Sequence, residues 1–82
     1  MNDLTTDEAA ILDILQARGS WTPLPAQERD GPRAVDAGEM RELARRGRAY
    51  VRIATLAGGP HARITIPGQQ ALTRYGKQNG HP

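Results

Sequence analysis

The first half of the chain carries apolar residues at helical spacing, and the second half begins with apolar residues at alternate positions. Residues 6–18 show the most regular helical pattern. The buried face of this stretch consists of four residues: Ile11, Leu12, Ile14 and Leu15. Thr5 and Glu8 have the spacing of a capping box, and Gly19 is typical of a helix end in the left-handed conformation. The pattern predicts a first helix over about residues 6–18.

Two more helices are predicted before the strands. Thr22 resembles an N-cap and Pro23 stands at the first helical position, which predicts a short second helix over residues 24–29. The turn-forming residues 30–32 follow this helix and separate it from the next one. A third helix is predicted over about residues 33–46. Its buried line consists of four residues: Ala37, Met40, Leu43 and Ala44.

From residue 50 onward the apolar period changes from that of a helix to that of a strand. Two alternating segments, residues 50–56 and 62–66, flank a connection over residues 57–61 that is rich in glycine and proline, which predicts an antiparallel hairpin. The positions expected to face the core are Val51, Ile53, Ile64 and Ile66. The positions expected to face solvent are Arg52, Arg63 and Thr65.

The remaining segments complete a single domain over residues 1–82. Residues 20–22 are too short for more than one rung of a strand, and Trp21 is expected to fill the core, with a base-stacking role as the alternative. Residues 69–77 predict a C-terminal helix, and residues 78–82 are expected to be a disordered tail. The apolar side of the last helix consists of Ala71, Leu72 and Tyr75.

Composition narrows the classes of protein that are expected. The 82-residue chain has no cysteine, so neither a disulfide framework nor a thiolate metal site is expected. It has no apolar run as long as a membrane span and no signal pattern at its start, so we expect a cytoplasmic protein without a membrane partner. The chain contains one serine, two histidines in a turn and a tail, and no glycine-rich phosphate loop. We therefore expect neither an enzyme nor a cofactor or metal site.

Charge is divided unequally along the chain, although the net charge is only +2. Residues 1–40 carry eight acidic and three basic side chains, whereas residues 41–82 carry one acidic and eight basic. Such a division favours a basic face that binds a polyanion. The alternative is that these basic side chains form an ordinary solvated face.

Two short sequence motifs, taken together with the predicted order of helices and strands, resemble those of a known protein family. The third helix ends in Leu43-Ala44-Arg45-Arg46-Gly47, and the second hairpin strand ends in Ile64-Thr65-Ile66-Pro67-Gly68. Together with the element order over residues 5–77, they resemble the winged helix-turn-helix regulators of the MarR and PadR kind. In those families the recognition helix commonly ends in Leu-x-x-x-Gly, and the second wing strand commonly ends in Leu-Thr-x-x-Gly. The resemblance implies an α+β winged helix-turn-helix fold with a three-helix core, a two-stranded wing hairpin and a C-terminal helix.

The resemblance also implies a transcription regulator that binds double-stranded DNA. The helix over residues 33–46 is expected in the major groove and the wing over residues 57–61 on the flanking backbone. A homodimer or a tandem site is expected, because a monomer this small makes few phosphate contacts. The chain lacks the long flanking helices with which MarR-like proteins dimerise and bind effectors, so no small-molecule effector is expected. The alternative function is a winged-helix interaction module that binds an acidic protein partner.

The residues predicted to contact DNA are Arg33, Gly38, Arg41, Arg45, Arg46, Arg48, Arg52, His61 and Arg63. Arg41 and Arg45 lie four residues apart on one helix face, and arginine binds guanine edges with two hydrogen bonds. Gly38 lies on the same face and permits close approach of the backbone. Arg33 stands near the expected N-terminal end of the helix. The arginines that follow the helix and the residues of the wing are expected to meet phosphates or the minor groove.

Overall fold

The computed structural model describes residues 4–28, 31–46 and 49–78 of the chain. Within these ranges the elements are α1 (Thr6–Arg18), β1 (Thr22–Pro23), β2 (Ala26–Gln27), β3 (Ala34–Val35), α2 (Ala37–Arg45), β4 (Val51–Leu56), β5 (Gly59–Ile64) and α3 (Ile66–Gln78). One antiparallel sheet has the strand order β1-β5-β4, and β2 pairs with β3 as a separate antiparallel hairpin. The protein is therefore a small α+β domain.

The first helix has the bounds that its apolar spacing predicts. Its capping box is complete, because the Glu8 N–H donates to Thr5 Oγ1 at 3.0 Å and the Thr5 N–H donates to Glu8 Oε1 at 2.9 Å. Gly19 ends the helix with a φ of 74°, and its N–H donates to the Leu15 carbonyl at 3.1 Å. The predicted apolar residues of this helix are all buried, which confirms the helical phase.

The predicted second helix is wrong. Residues 24–28, the described part of that segment, contain β2 instead, and Ala26 of β2 lies opposite Val35 of β3. Pro25 opposes a helix here, because proline lacks an N–H and disfavours the helical conformation in the residue before it. Pairing of the two strands leaves Ala26 only 1% exposed and Val35 fully buried at 0%. A β-hairpin therefore replaces the second helix of the expected three-helix core. Arg29, the last residue of the predicted helix, lies outside the described residues.

Helix α2 begins later than the sequence pattern predicts. Its N-cap is Asp36, whose Oδ1 accepts a hydrogen bond from the Glu39 N–H at 2.8 Å. Arg33 therefore precedes the helix instead of standing in its first turn. The most deeply buried residues of the predicted apolar line are Met40 and Leu43. The helix stop predicted at Gly47 lies outside the described residues.

Strands β4 and β5 form the predicted antiparallel hairpin. In their register Val51 lies opposite Ile64, and Arg52 lies opposite Arg63. Val51 and Ile64 are buried and Ile53 packs half-buried against them, as predicted. Because side chains alternate along a strand, Arg52 and Arg63 share the opposite face of the sheet. We call this solvent-facing side of the β1-β5-β4 sheet the outer face.

The hairpin turn is shorter than the predicted loop. Leu56 lies opposite Gly59, so Ala57 and Gly58 connect the strands and residues 59–61 belong to β5. Gly58 and Gly59 have φ angles of 95° and 115°, which glycine adopts without a steric penalty. The wing predicted over residues 57–61 is therefore a tight turn at the end of two paired strands.

Helix α3 begins before the predicted start at residue 69. The Thr65 hydroxyl oxygen accepts from the Gly68 N–H at 3.1 Å, and the Thr65 carbonyl accepts from the Gln69 N–H at 2.9 Å. Pro67 is compatible with the first turn, where backbone N–H groups have no helical partner. The prediction that Ile66 faces the core is wrong, because the strand has ended before it and 69% of its surface is exposed.

The core lies between the helices and the inner face of the sheet. Here α1 contacts β5 and α3, and α2 contacts β4. The apolar side predicted for α3 is confirmed, since Ala71 is buried and both Leu72 and Tyr75 pack against the core. Leu4, which the sequence pattern leaves unassigned, is also buried. Helix α3 ends at Gln78, and the rest of the predicted tail lies outside the described residues.

Candidate nucleic-acid interface

Arg41 and Arg45 lie on the exposed side of α2, together with Gly38. Among the described residues Arg41 forms no ion pair. Arg45 Nη2 contacts the Glu42 carboxylate at 2.7 Å and 2.9 Å, one turn away on the same helix. Both partners of that pair are exposed, and exposed ion pairs contribute little to stability. A phosphate can therefore replace the Glu42 carboxylate as the partner of Arg45 at small cost.

An adjoining side of α2, which includes Gly38, faces α1 across a groove rich in carboxylates. The ionisable residues that line this acidic groove are Asp7, Glu8, Glu39, Glu42 and Arg46. Arg46 Nη1 contacts Glu8 Oε2 at 2.6 Å, and the Glu8 side chain is only 11% exposed. Burial raises the pKa of Glu8, but the hydrogen bond from the Thr5 N–H and the interaction with Arg46 outweigh burial and hold that pKa below its ordinary value. Arg46 therefore stabilises the charge of a nearly buried carboxylate.

Arg33 is also held inside the domain. Its Nη2 lies 2.7 Å from Asp7 Oδ1 and 3.4 Å from Glu39 Oε2, so it joins the start of α1 to the first turn of α2. The hydrogen bond to Asp7 is the main reason that the pKa of Arg33 is raised. A DNA contact by Arg33 or Arg46 would have to compete with these ion pairs.

The outer face of the sheet carries a second group of basic side chains. Arg52 and Arg63 lie directly opposite each other on neighbouring strands, and both are exposed. Arg63 Cζ lies 5.7 Å from the ring centroid of Trp21, a cation–π distance. Like charges directly opposite each other destabilise a strand pair, so an anion bound between them would relieve a repulsion.

A concavity of about 370 Å³ opens beside these arginines, and we call it the outer-face pocket. Its lining consists of Trp21, Arg52, Arg63, Ile64, Thr65, Ile66, Pro67 and Gln69. The lining contains no carboxylate, and its ionisable groups are the two arginines. The pocket therefore combines positive charge with an indole ring and an exposed isoleucine.

The expectation that Trp21 fills the core is wrong, because the side chain lies beside Arg63 on the outer face, where the alternative of base stacking would place it. Trp21 is half-buried, while the next residue, Thr22, is buried at 2% exposure opposite Ala62. Neighbouring side chains of an extended segment point to opposite faces, so Trp21 and Thr22 cannot both face the core. The alternation does not decide which of the two faces the core, and the pairing of Thr22 with Ala62 places Trp21 on the outer face.

The structure separates the predicted contact residues into distinct groups. The outer face brings Arg52 and Arg63 together, whereas Arg41 and Arg45 lie on α2. His61 is half-buried in β5, where its Nδ1 lies 2.8 Å from the Gly59 carbonyl oxygen and makes a local contact beside the turn. Arg48 lies outside the described residues.

Comparison of the chain with protein-family models, with curated proteins and with solved structures gave no match. Within the described ranges, no helix combines the length and apolar character needed to cross a membrane. The same part of the chain contains no group of three or more His, Cys, Asp or Glu side chains placed to hold a metal ion.

Proposed function

We propose that this domain binds double-stranded DNA as a winged-helix-like regulator. The proposal keeps the part of the resemblance that lies over residues 37–78, where α2 is followed by the β4–β5 hairpin and then by α3. In this arrangement α2 enters the major groove and the hairpin follows the flanking backbone. The hairpin of β2 and β3 takes the position in the chain that the second helix of a helix-turn-helix would occupy.

The observation that carries the proposal is the segregation of charge. Every aspartate and glutamate of the chain precedes residue 43. The described segment over residues 49–78 therefore contains basic ionisable side chains and no carboxylate: Arg52, Arg63, Arg74 and Lys77. A segment of this composition attracts the phosphate backbone, whereas the carboxylates gather at α1 and along α2, and this segregation supports nucleic acid as the partner.

Individual arginines have different roles in the proposal. Arg41 and Arg45 reach base edges from α2, since neither is tied to the body of the domain. Arg52 contacts a flanking phosphate from the hairpin. Arg33 and Arg46 hold α1 and α2 together through their ion pairs and contribute to the positive potential without direct contacts.

The experiment is a comparison of Arg41→Ala and Arg52→Ala by fluorescence anisotropy over a salt series, on a duplex selected from a random pool and on a scrambled one. Loss of Arg41 should cost about 1–3 kcal/mol on the selected duplex and reduce discrimination between the two. Loss of Arg52 should weaken both duplexes alike and lower the slope of log affinity against log salt by about 0.9. Arg18→Ala on α1 is the matched control, because it removes the same charge from the opposite half of the chain.

Two results would overturn the proposal of sequence-specific duplex binding. The first is the absence of duplex binding by the unaltered protein at low salt. The second is an equal loss of duplex affinity in Arg41→Ala, Arg52→Ala and Arg18→Ala. That result would show that the arginines contribute only to the net positive charge of the protein.

A second candidate function is the binding of an acidic protein partner. The observation that favours it is the exposed Ile66 beside Arg52 and Arg63, since protein interfaces combine an apolar centre with charged neighbours. The salt dependence of duplex binding distinguishes the two functions. Duplex binding that persists at moderate salt favours DNA, whereas duplex binding that disappears near physiological salt favours the protein partner.

A further inference from the structure

We infer that the outer-face pocket binds single-stranded nucleic acid, with an unpaired base stacked on Trp21 and the adjoining phosphates on Arg52 and Arg63. This site and its ligand go beyond the proposed duplex function, which uses α2 for base contacts and shares only Arg52 with the pocket. The inference rests on the aromatic ring, the arginine pair and the size of the pocket, which are independent observations.

Trp21 supplies the stacking surface. Its indole lies half-buried on the outer face, while the core is filled by aliphatic side chains, Met40 and Tyr50. Exposed aromatic rings on a basic sheet surface are the common platform for unpaired bases, because every base has a π face. Arg63 lies over the indole at 5.7 Å, and a guanidinium plane is itself a stacking surface for bases.

Arg52 and Arg63 supply the phosphate contacts. Residues directly opposite each other on antiparallel strands have Cα atoms about 4.5–5.5 Å apart, so both guanidinium groups can reach the same short stretch of backbone. Neither arginine forms an ion pair among the described residues. A phosphate between them gains two charge-assisted partners and relieves the repulsion across the strands.

The geometry favours a single strand over a duplex at this pocket. In a duplex the faces of the bases are covered by their stacked neighbours, so an indole can stack only on a base that is unpaired or at an end. The volume of about 370 Å³ lies at the lower end of the range for small-ligand sites, roughly 300–1,000 Å³, and suits one nucleotide unit. Exposed Ile66 and Pro67 complete an apolar wall beside the ring.

Trp21 is the only tryptophan of the chain, so intrinsic fluorescence reports directly on this pocket. The full chain is titrated with single-stranded oligo(dT), with oligo(U) and with a duplex at equal phosphate concentration. We expect saturable quenching of the Trp21 emission by both single strands and little quenching by the duplex. Comparison of the affinities for oligo(dT) and oligo(U) shows whether the pocket prefers single-stranded DNA or single-stranded RNA.

Variants then test each part of the site by anisotropy of a labelled oligo(dT). Trp21→Leu should weaken single-strand binding by about 5- to 150-fold, the range for loss of one base–aromatic stack, whereas Trp21→Phe should retain most of the affinity. Arg52→Ala and Arg63→Ala should each lower the salt slope by about 0.7, the contribution of one phosphate contact on a single strand. Arg18→Ala on α1 is the control and should leave single-strand affinity unchanged, because Arg18 is not among the residues that line the pocket.

The inference is wrong if neither single strand quenches Trp21 at low salt, or if Arg18→Ala weakens single-strand binding as much as Arg63→Ala does. Melting curves establish that each variant is folded. If Trp21→Leu unfolds, Trp21→Phe and the two arginine variants decide the outcome. A protein that binds oligo(dT) but no duplex would overturn the proposed duplex function and leave this inference standing.

Discussion

Replacement of Leu15 by alanine is the sharpest test of how the domain is held together. Leu15 lies in α1, is fully buried at 0% exposure and belongs to the central cluster of core residues. Helix α1 contacts β2, β5 and α3, so its buried side joins both hairpins to the last helix. A cavity at Leu15 therefore opens where the elements of the chain meet.

The expected cost follows from the burial of the side chain. A leucine-to-alanine change at a fully buried site costs about 2–5 kcal/mol, because it combines lost transfer free energy with a residual cavity. A stability of about 0.05–0.15 kcal/mol per residue gives roughly 4–12 kcal/mol for the 82-residue chain. One substitution therefore removes a large share of the free energy of unfolding. Since 1 kcal/mol corresponds to about 4–8 °C in a domain of this size, the melting temperature should fall by at least about 8 °C.

The assay is thermal and urea unfolding followed by far-ultraviolet circular dichroism. Gln16→Ala is the matched control, because Gln16 is the exposed neighbour on the same helix and alanine has a good helical propensity. Its melting temperature should stay close to that of the unaltered protein. An unchanged melting temperature for Leu15→Ala would show that α1 does not bury this face, and the packing described above would then be wrong.

Two other predictions concern charge and capping. The folded pKa of Glu8 is lowered, so its ionisation stabilises the fold above its unfolded pKa of about 4.5, and this contribution is lost as the pH falls through the folded pKa. Glu8→Gln should therefore lower stability at pH 7, and the difference from the unaltered protein should shrink on acidification; a difference that grows at pH 3 in urea unfolding would contradict the argument. Thr65→Ala removes the N-cap of α3 and should cost about 0.5–2 kcal/mol, whereas Thr73→Ala at an exposed position inside that helix should not; equal melting temperatures for the two variants would refute the capping role.

Local patterns in the sequence determined the elements whose signals lie within a few residues. The capping box at Thr5 and Glu8 and the glycine at residue 19 bound α1, since hydrogen bonds between near neighbours define both ends. The alternation around Arg52 and Arg63 likewise determined the hairpin and the exposure of both arginines. These features depend on periods of 3.6 and 2 residues, which the sequence displays directly.

Contacts between segments that are distant in the sequence determined the structure of residues 24–28 and the position of Trp21. Residues 24–28 carry a plausible helix start, but Ala26 gains a buried strand partner in Val35, so burial and pairing prevail over the weak local preference. Trp21 stands on the outer face because Thr22 pairs with Ala62, forty residues away in the chain.

The electrostatic character of the α2 arginines was also decided by the tertiary structure. The sequence indicates a local partner for Arg45, since Glu42 lies three residues before it on the same helix. It gives no indication of which carboxylate Arg33 or Arg46 meets. In the fold, Arg33 pairs with Asp7 and Arg46 pairs with Glu8, both from the start of α1. Such pairs depend on how two helices pack, because the Coulomb interaction of side chains falls steeply with distance in water. The position of α1 beside α2 thereby ties Arg33 and Arg46 to the domain, whereas Arg41, Arg45 and the arginine pair of the outer face stay accessible to a ligand.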